Sequence, residues 1–325
     1  MAGRAATLVI GLALVLAASG CAGTVVGDGP VGSQRSSGAL TVHSRWESCA
    51  AATPADGSDG DGGQDALALP RMDEGFEPVA AVVCRAGPQQ RPSGGLDLVA
   101  VEDRADDVTA LVNALRLPDD KPTEGACTLD LPFVPWLALL DGKGRWVRPG
   151  VPIDACRKPR HEFRTAYEQL RTKRVTTRVL REIESDKAAA SGCSQAWADM
   201  VWVAGQSGGH QDNTPGPLPA DETQVGVCVY RVPPSEQGSG KPAGTFQSGG
   251  RLTAGRWAAV KRVLTGAGVA SACTTPSSRF AVLHLPAGLI YVEADGCRRV
   301  LIEGGTGSGV MRQGTAELTS LLFDQ

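Results

Sequence analysis

The sequence predicts an α+β fold: two tandem, small, disulfide-stapled modules, each an antiparallel sheet with one or two packed helices. Three observations predict it. Eight of the nine cysteines, at 49, 84, 127, 156, 193, 228, 273 and 297, fall into two sets of four. The first set is spaced by 35, 43 and 29 residues and the second by 35, 45 and 24, the mark of an internal repeat. The flanking residues also agree. Gly125-Ala126-Cys127-Thr128 corresponds to Ser271-Ala272-Cys273-Thr274, and Asp154-Ala155-Cys156-Arg157 to Asp295-Gly296-Cys297-Arg298. Finally, in each set a β-rich run carrying the second cysteine is followed by a helical stripe.

Residues 1–20 have the layout of a secretory signal peptide. Arg4 precedes an apolar run from Ala5 to Ala18, which ends at the small residues Ser19 and Gly20 before Cys21. That run has 14 residues, short of the roughly 20 that a spanning helix needs. Residues 21–39 are rich in Gly and Ser and are expected to form a flexible tether. No second long apolar run exists.

The first module is expected over 40–161. Its elements are a strand at 78–85 carrying Cys84, a helix with Val108, Leu111, Val112 and Leu115 on one stripe, and strands at 133–140 and 145–151. The turn between the last two is Asp141-Gly142-Lys143-Gly144. Residues 162–190 read as a basic helical linker: Phe163, Tyr167 and Leu170 share one stripe, which Val175, Val179 and Ile183 extend. The second module, 191–303, repeats the strand around Cys228. Its helix carries Trp257, Val260 and Leu264, with Thr253 as N-cap, and a hairpin turns at Pro286-Ala287-Gly288. Residues 304–325 read as a helical tail.

An even set of cysteines in an exported chain implies disulfides. Four cysteines allow three connectivities per module, and the hairpins favour one. Cys127 and Cys156 flank the turn at 141–144, as Cys273 and Cys297 flank the turn at 286–288, so each pair lies at the open end of a hairpin. By exclusion Cys49 pairs with Cys84, and Cys193 with Cys228. Each closure is expected to contribute about 3–4 kcal/mol by restricting the unfolded chain, help that small, aromatic-poor modules need.

Cys21 directly after small residues resembles the lipobox of bacterial lipoproteins, although Ala18 stands where that family usually has Leu. The resemblance implies lipidation of the Cys21 thiol and removal of the residues before it. Arg (25) far outnumbers Lys (7), and only two Asn occur, a composition of high-GC genomes. The four-cysteine repeat resembles secreted actinobacterial lipoproteins of unassigned function over about four-fifths of the chain. The motifs behind that resemblance are structural and carry over no active site. They imply a location at the cell membrane, lipid-anchored on its extracytoplasmic face.

Several motifs invite chemistry. Gly205-Gln206-Ser207-Gly208-Gly209 fits the nucleophile-elbow pattern, with His210 and Asp212 close by. An elbow must run straight into a helix, whereas the Pro- and Gly-containing stretch 210–217 reads as a loop. Asp56, Asp59 and Asp61 lack the alternation and the later Glu of a calcium loop, and read as a solvated acidic insert. His43, His161, His210 and His284 are scattered, and oxidised cysteines cannot ligate zinc, so neither a metal nor a cofactor is expected. Gly304 to Gly309 reads as a linker. Between Arg157 and Arg181 there are nine Lys or Arg and two Glu. Arg160, Arg164, Arg171, Lys173, Arg174, Arg178 and Arg181 therefore form a candidate contact for an anionic surface, beside the reading as a solvated helix face. The net charge of −3 and an exported location argue against nucleic acid. The expected function is non-enzymatic: an anchored envelope protein that binds another protein or a wall polymer. A serine hydrolase using Ser207 and a protease inhibitor are the alternatives.

Overall fold

The computed structural model describes residues 35–36, 38–53, 63–130, 133–206, 216–304 and 309–324. The candidate lipidation site Cys21, the acidic insert with Asp56, Asp59 and Asp61, the trio Ser207, His210 and Asp212, and Gly305 to Ser308 lie outside them.

The fold is α+β, with two antiparallel sheets and four disulfides. The first half runs β1 (Val42–His43), α1 (Cys49–Ala52), β2 (Ala80–Gln90), β3 (Leu96–Ala105), α2 (Thr109–Leu115), β4 (Trp136–Leu140), β5 (Trp146–Val147), α3 (His161–Glu168) and β6 (Lys173–Glu184). Its sheet order is β1-β5-β4-β2-β3-β6. The second half runs α4 (Asp186–Ser191), β7 (Ala196–Ala198), α5 (Met200–Gln206), β8 (Gly226–Arg231), β9 (Ala243–Arg251), α6 (Ala254–Thr265), β10 (Arg279–Leu285), β11 (Gly288–Glu293), β12 (Arg299–Gly304), β13 (Gly309–Gln313) and α7 (Ala316–Phe323). Its order is β13-β12-β11-β10-β8-β9-β7.

The two sheets share a four-strand core, β5-β4-β2-β3 in one and β11-β10-β8-β9 in the other. One helix follows the second strand and another closes the unit, and each pair packs together, α2 on α3 and α6 on α7. Side chains alternate across a strand, so each sheet buries two layers. On the helix-bearing face, Ala81, Val83, Leu137 and Leu139 meet Leu111, Leu115 and Phe163. In the second half Val227, Val229 and Leu283 meet Trp257, Val260, Leu318 and Leu322. On the opposite face lie Cys84 with Trp136, and Cys228 with Tyr230 and Phe280.

The disulfides are Cys49–Cys84, Cys127–Cys156, Cys193–Cys228 and Cys273–Cys297, with Cα atoms 5.6–5.8 Å apart. These are the pairs that the hairpin argument predicts. Thr253 caps α6 by accepting from the Arg256 N–H at 3.3 Å, as expected. The turn at Asp141 also forms, its Oδ1 accepting from the Lys143 and Arg145 amides.

Three expectations need correction. Residues 162–190 are not a helical linker. Helix α3 ends at Glu168, and Lys173–Glu184 is β6, paired antiparallel along nearly all of β3. Val175, Thr176, Thr177, Val179 and Ile183 are β-branched and fit a strand. The spacing of four between Val175, Val179 and Ile183 fits one face of a strand as well as a helical stripe, so it does not distinguish the two. The tail from 304 is also not helical throughout: β13 pairs with β12 before Thr315 caps α7. The strands of the first hairpin are shorter than the expected 133–140 and 145–151.

Candidate functional site

The basic segment is assembled by pairing with β3, and its geometry follows from the register. Residues directly opposite in an antiparallel pair share a face. Lys173 stands opposite Arg104, Thr176 opposite Glu102, Arg178 opposite Ala100 and Arg181 opposite Leu98. Register shifts leave Val175, Leu180 and Ile183 without a partner across the ladder, each an extra residue that rephases the strand. Without those shifts Lys173 and Arg181 would alternate with Arg178. With them, Lys173, Arg178 and Arg181 lie on one face.

That face points away from α2 and α3. Glu102 belongs to it: buried, it accepts from Trp46 Nε1 at 3.1 Å and from the Cys49 amide at 2.8 Å, so it holds α1 and its disulfide in place. Lys173, Arg178 and Arg181 are exposed, as is Arg171 just before the strand. Val175 and Val179 are 51% and 57% exposed.

The other predicted cations separate from this group. Arg174 lies on the helix-bearing face, where it donates to Asp103 at 2.7 Å and Arg85 donates to the same carboxylate at 2.9 Å. Burial opposes ionisation of Asp103, but these hydrogen bonds outweigh it and hold its pKa below the usual carboxylate range. Arg160 donates to Asp120 and Glu162, both at 2.7 Å, and to the Pro118 carbonyl. The Arg160 guanidinium lowers Glu162 to about 2. Arg160 and Arg174 are thus structural. Arg164 is exposed on α3, whose buried Phe163 and Ala166 pack on the helix-bearing layer.

Two clusters escape sequence reasoning. The first is aromatic. Trp46, Trp136 and Trp146 meet with centroids 5.2–6.2 Å apart, His43 stacks on Trp146 at 3.9 Å, and the Arg148 guanidinium lies over Trp136. Their positions are too far apart in sequence for any period to link them.

The second cluster is buried charge in the other half. Asp199 accepts from the Val201 and Trp202 amides, both at 3.1 Å, at the start of α5. Glu293 on β11 accepts from the Arg299 side chain at 2.8 Å and its amide at 2.7 Å. Burial, with the Glu293 charge beside it, pushes Asp199 up to about 7 against the pull of the two amides and Arg299. Burial likewise raises Glu293. A Cβ on Gly205 would lie 2.1 Å from Arg299 Nη1, so this glycine makes room for the guanidinium. The apolar run before Gly205 is helix α5, not the strand that a nucleophile elbow requires.

Among the described residues, the remaining histidines do not converge. His161 starts α3 beside Thr165, and His284 lies in β10 with its ring edge-on to Trp197. Compared with protein-family models, curated proteins and solved structures, the chain matches none.

Proposed function

We propose that this chain is a lipid-anchored protein on the extracytoplasmic face of the cell membrane, acting by binding an envelope protein or a wall polymer rather than by catalysis. The observation that carries this reading is Cys21, placed after small residues at the end of a 14-residue apolar run. Four disulfides fit an oxidising compartment. A duplicated, disulfide-braced scaffold supports a binding role, because two related surfaces on one chain raise the effective concentration of the second contact. The helix ahead of Gly205 weighs against a hydrolytic Ser207.

The anchor is tested by expressing the full chain and its Cys21→Ser variant in a bacterium that processes lipoproteins. The full chain is expected in the membrane fraction, with an N-terminal lipopeptide at Cys21 by mass spectrometry, and the variant in the soluble fraction. An unmodified Cys21 would overturn the anchor. The partner is sought with residues 22–325 as bait on cross-linked envelope extract: one enriched protein supports a protein partner, and enriched glycan a wall polymer. Labelling of Ser207 by an active-site serine probe would reverse the non-enzymatic reading.

A further inference from the structure

We propose that Cys127–Asp130 is a protease-binding loop, which presents Leu129 to the apolar specificity pocket of a serine protease and holds that enzyme in an inhibited complex. The inference names the class of a protein partner, so it rests on the protein-binding arm of the reading above.

Three observations carry it. Leu129 is 99% exposed, so it forgoes the gain that burial gives an apolar side chain. The residues on either side of it are fixed to the scaffold. Cys127 is bonded to Cys156. The Thr128 hydroxyl donates to the Asp130 carboxylate, and the Lys158 ammonium donates to both. Lys158 is itself held by its main chain: its amide donates to Asp154 Oδ1 at 2.9 Å, and its carbonyl accepts from the Asp154 amide at 2.7 Å. The Lys158 ammonium, with the Thr128 hydroxyl, lowers Asp130 to about 2, so its carboxylate stays charged at neutral pH. Thr128 and Leu129 enter no helix, strand or turn, and make no backbone–backbone bond among the described residues. Their main chain is therefore open to the strand-like pairing by which a cleft grips a peptide.

The third observation is that the repeated fold does not require this tip. Residues 128–135 lie between Cys127 and β4, whereas only 274–278 lie between Cys273 and β10. Thr275 takes the place of Leu129, and the Ser277 and Ser278 hydroxyls after it donate to Asp295. Of the two cysteine-anchored loops, the first alone carries an apolar tip.

Bound as a substrate, the loop places the Leu129 carbonyl before the catalytic serine. Attack forms the serine–acyl bond, breaks the Leu129–Asp130 peptide bond and passes the serine proton to the Asp130 amine through the enzyme's histidine. Lys158 holds Thr128 and Asp130 together across that bond. The amine therefore stays beside the acyl group and takes it back, and the proton returns to the serine. A loop already set in its bound form also has little ordering cost, so the complex persists instead of turning over.

The test sets residues 22–325, which retain every described element and all four disulfides, against chymotrypsin, whose specificity pocket is apolar, and trypsin, whose pocket holds a carboxylate. Competitive, stoichiometric inhibition of chymotrypsin is expected. Leu129→Gly should weaken it by about 10- to 150-fold, the contribution of one buried leucine, and Leu129→Lys should transfer inhibition to trypsin. Lys158→Gln should turn the inhibitor into a substrate, cleaved between 129 and 130 as read by mass spectrometry. Circular dichroism and disulfide mapping check that each variant is folded and oxidised. No inhibition of chymotrypsin, an unchanged Leu129→Gly, a Leu129→Lys inactive on trypsin, or rapid cleavage at 129–130 in the parent would each overturn the proposal. The envelope pull-down separates this inference from the reading beneath it: one protein enriched equally by the parent and by Leu129→Gly would uphold a protein partner and overturn the loop as its site.

Discussion

Arg157 and Arg298 each follow the last cysteine of a half, and both adopt a left-handed backbone, with φ of 63° and 51°. Their amides donate to the Asp154 and Asp295 carbonyls at 2.9 and 3.0 Å. The strained turn is thus part of what the repeat preserves, since it lets the cysteine face its partner across the hairpin. A side chain in this region costs about 1–2 kcal/mol per residue. Glycine relieves that strain but loosens the unfolded chain, with opposing effects of about 1 kcal/mol. Arg298→Gly is therefore expected to leave the urea midpoint nearly unchanged. Arg298→Val, whose branched Cβ crowds the same conformation, should lower stability by about 1–2 kcal/mol. Equal effects of the two would show that backbone strain is not what distinguishes this position. The recurrence of Asp-x-Cys-Arg is plain in the sequence. Its handedness is not, because arginine has no preference for it.

Among the elements, β6 carries the main departure from local expectation. In β6, apolar residues four apart fit a helical stripe and a strand face equally, and the free edge of β3 is what recruits the segment. A local pattern cannot register an edge that lies some seventy residues away in sequence. Helix α5 is set over the buried trio Asp199, Glu293 and Arg299, in which Arg299 pairs with Glu293 and Asp199 feels the charge of both. An acid whose folded pKa is raised favours the folded state most while it is neutral. Its contribution is full below its unfolded value near 3.8 and is lost as pH rises through about 7. Asp199 should therefore make the protein progressively less stable from about pH 4 to pH 7, with no further change from this group above that. Asparagine caps a helix about as well as aspartate. Asp199→Asn is thus expected to flatten the stability slope between about pH 5 and pH 7.5 in urea titrations. An unaltered slope would mean that Asp199 is not the titrating group.

For the whole molecule, the two halves repeat a strand–strand–helix–strand–strand–helix order and then diverge at the sheet edges. The first half adds β1 and β6, and the second adds β7 and the β12–β13 hairpin. The halves are joined through the tip of the β2–β3 hairpin, where Arg91 donates to Asp97, Glu182, Asp186 and the Glu184 carbonyl. The Gly95 amide donates to the same Asp186, at the first turn of α4. Arg91 thus fastens β3, β6 and α4 at one point. Arg91→Ala is expected to lower the melting temperature by a few degrees and to speed hydrogen exchange at Gly95. Cleavage between 184 and 196 should also rise in limited proteolysis, and unchanged exchange at Gly95 would show that the junction does not depend on this side chain.

The sequence by itself determined what local chemistry and counting can carry. Cysteine spacing revealed the duplication and, with two hairpin turns, the pairing in each half. Apolar periodicity located α2 and α6, and Thr253 marked the start of α6. Those signals are local because a helix, a cap and a tight turn close their hydrogen bonds within a few residues. Only the tertiary structure decided that 173–184 is an edge strand and that bulges gather Lys173, Arg178 and Arg181 on one face. It alone assigned Arg160 and Arg174 to ion pairs and buried Asp199 beside Glu293 and Arg299. Each of these depends on strand register or on charges brought together from distant segments, and both are fixed by the partner rather than by the residues themselves.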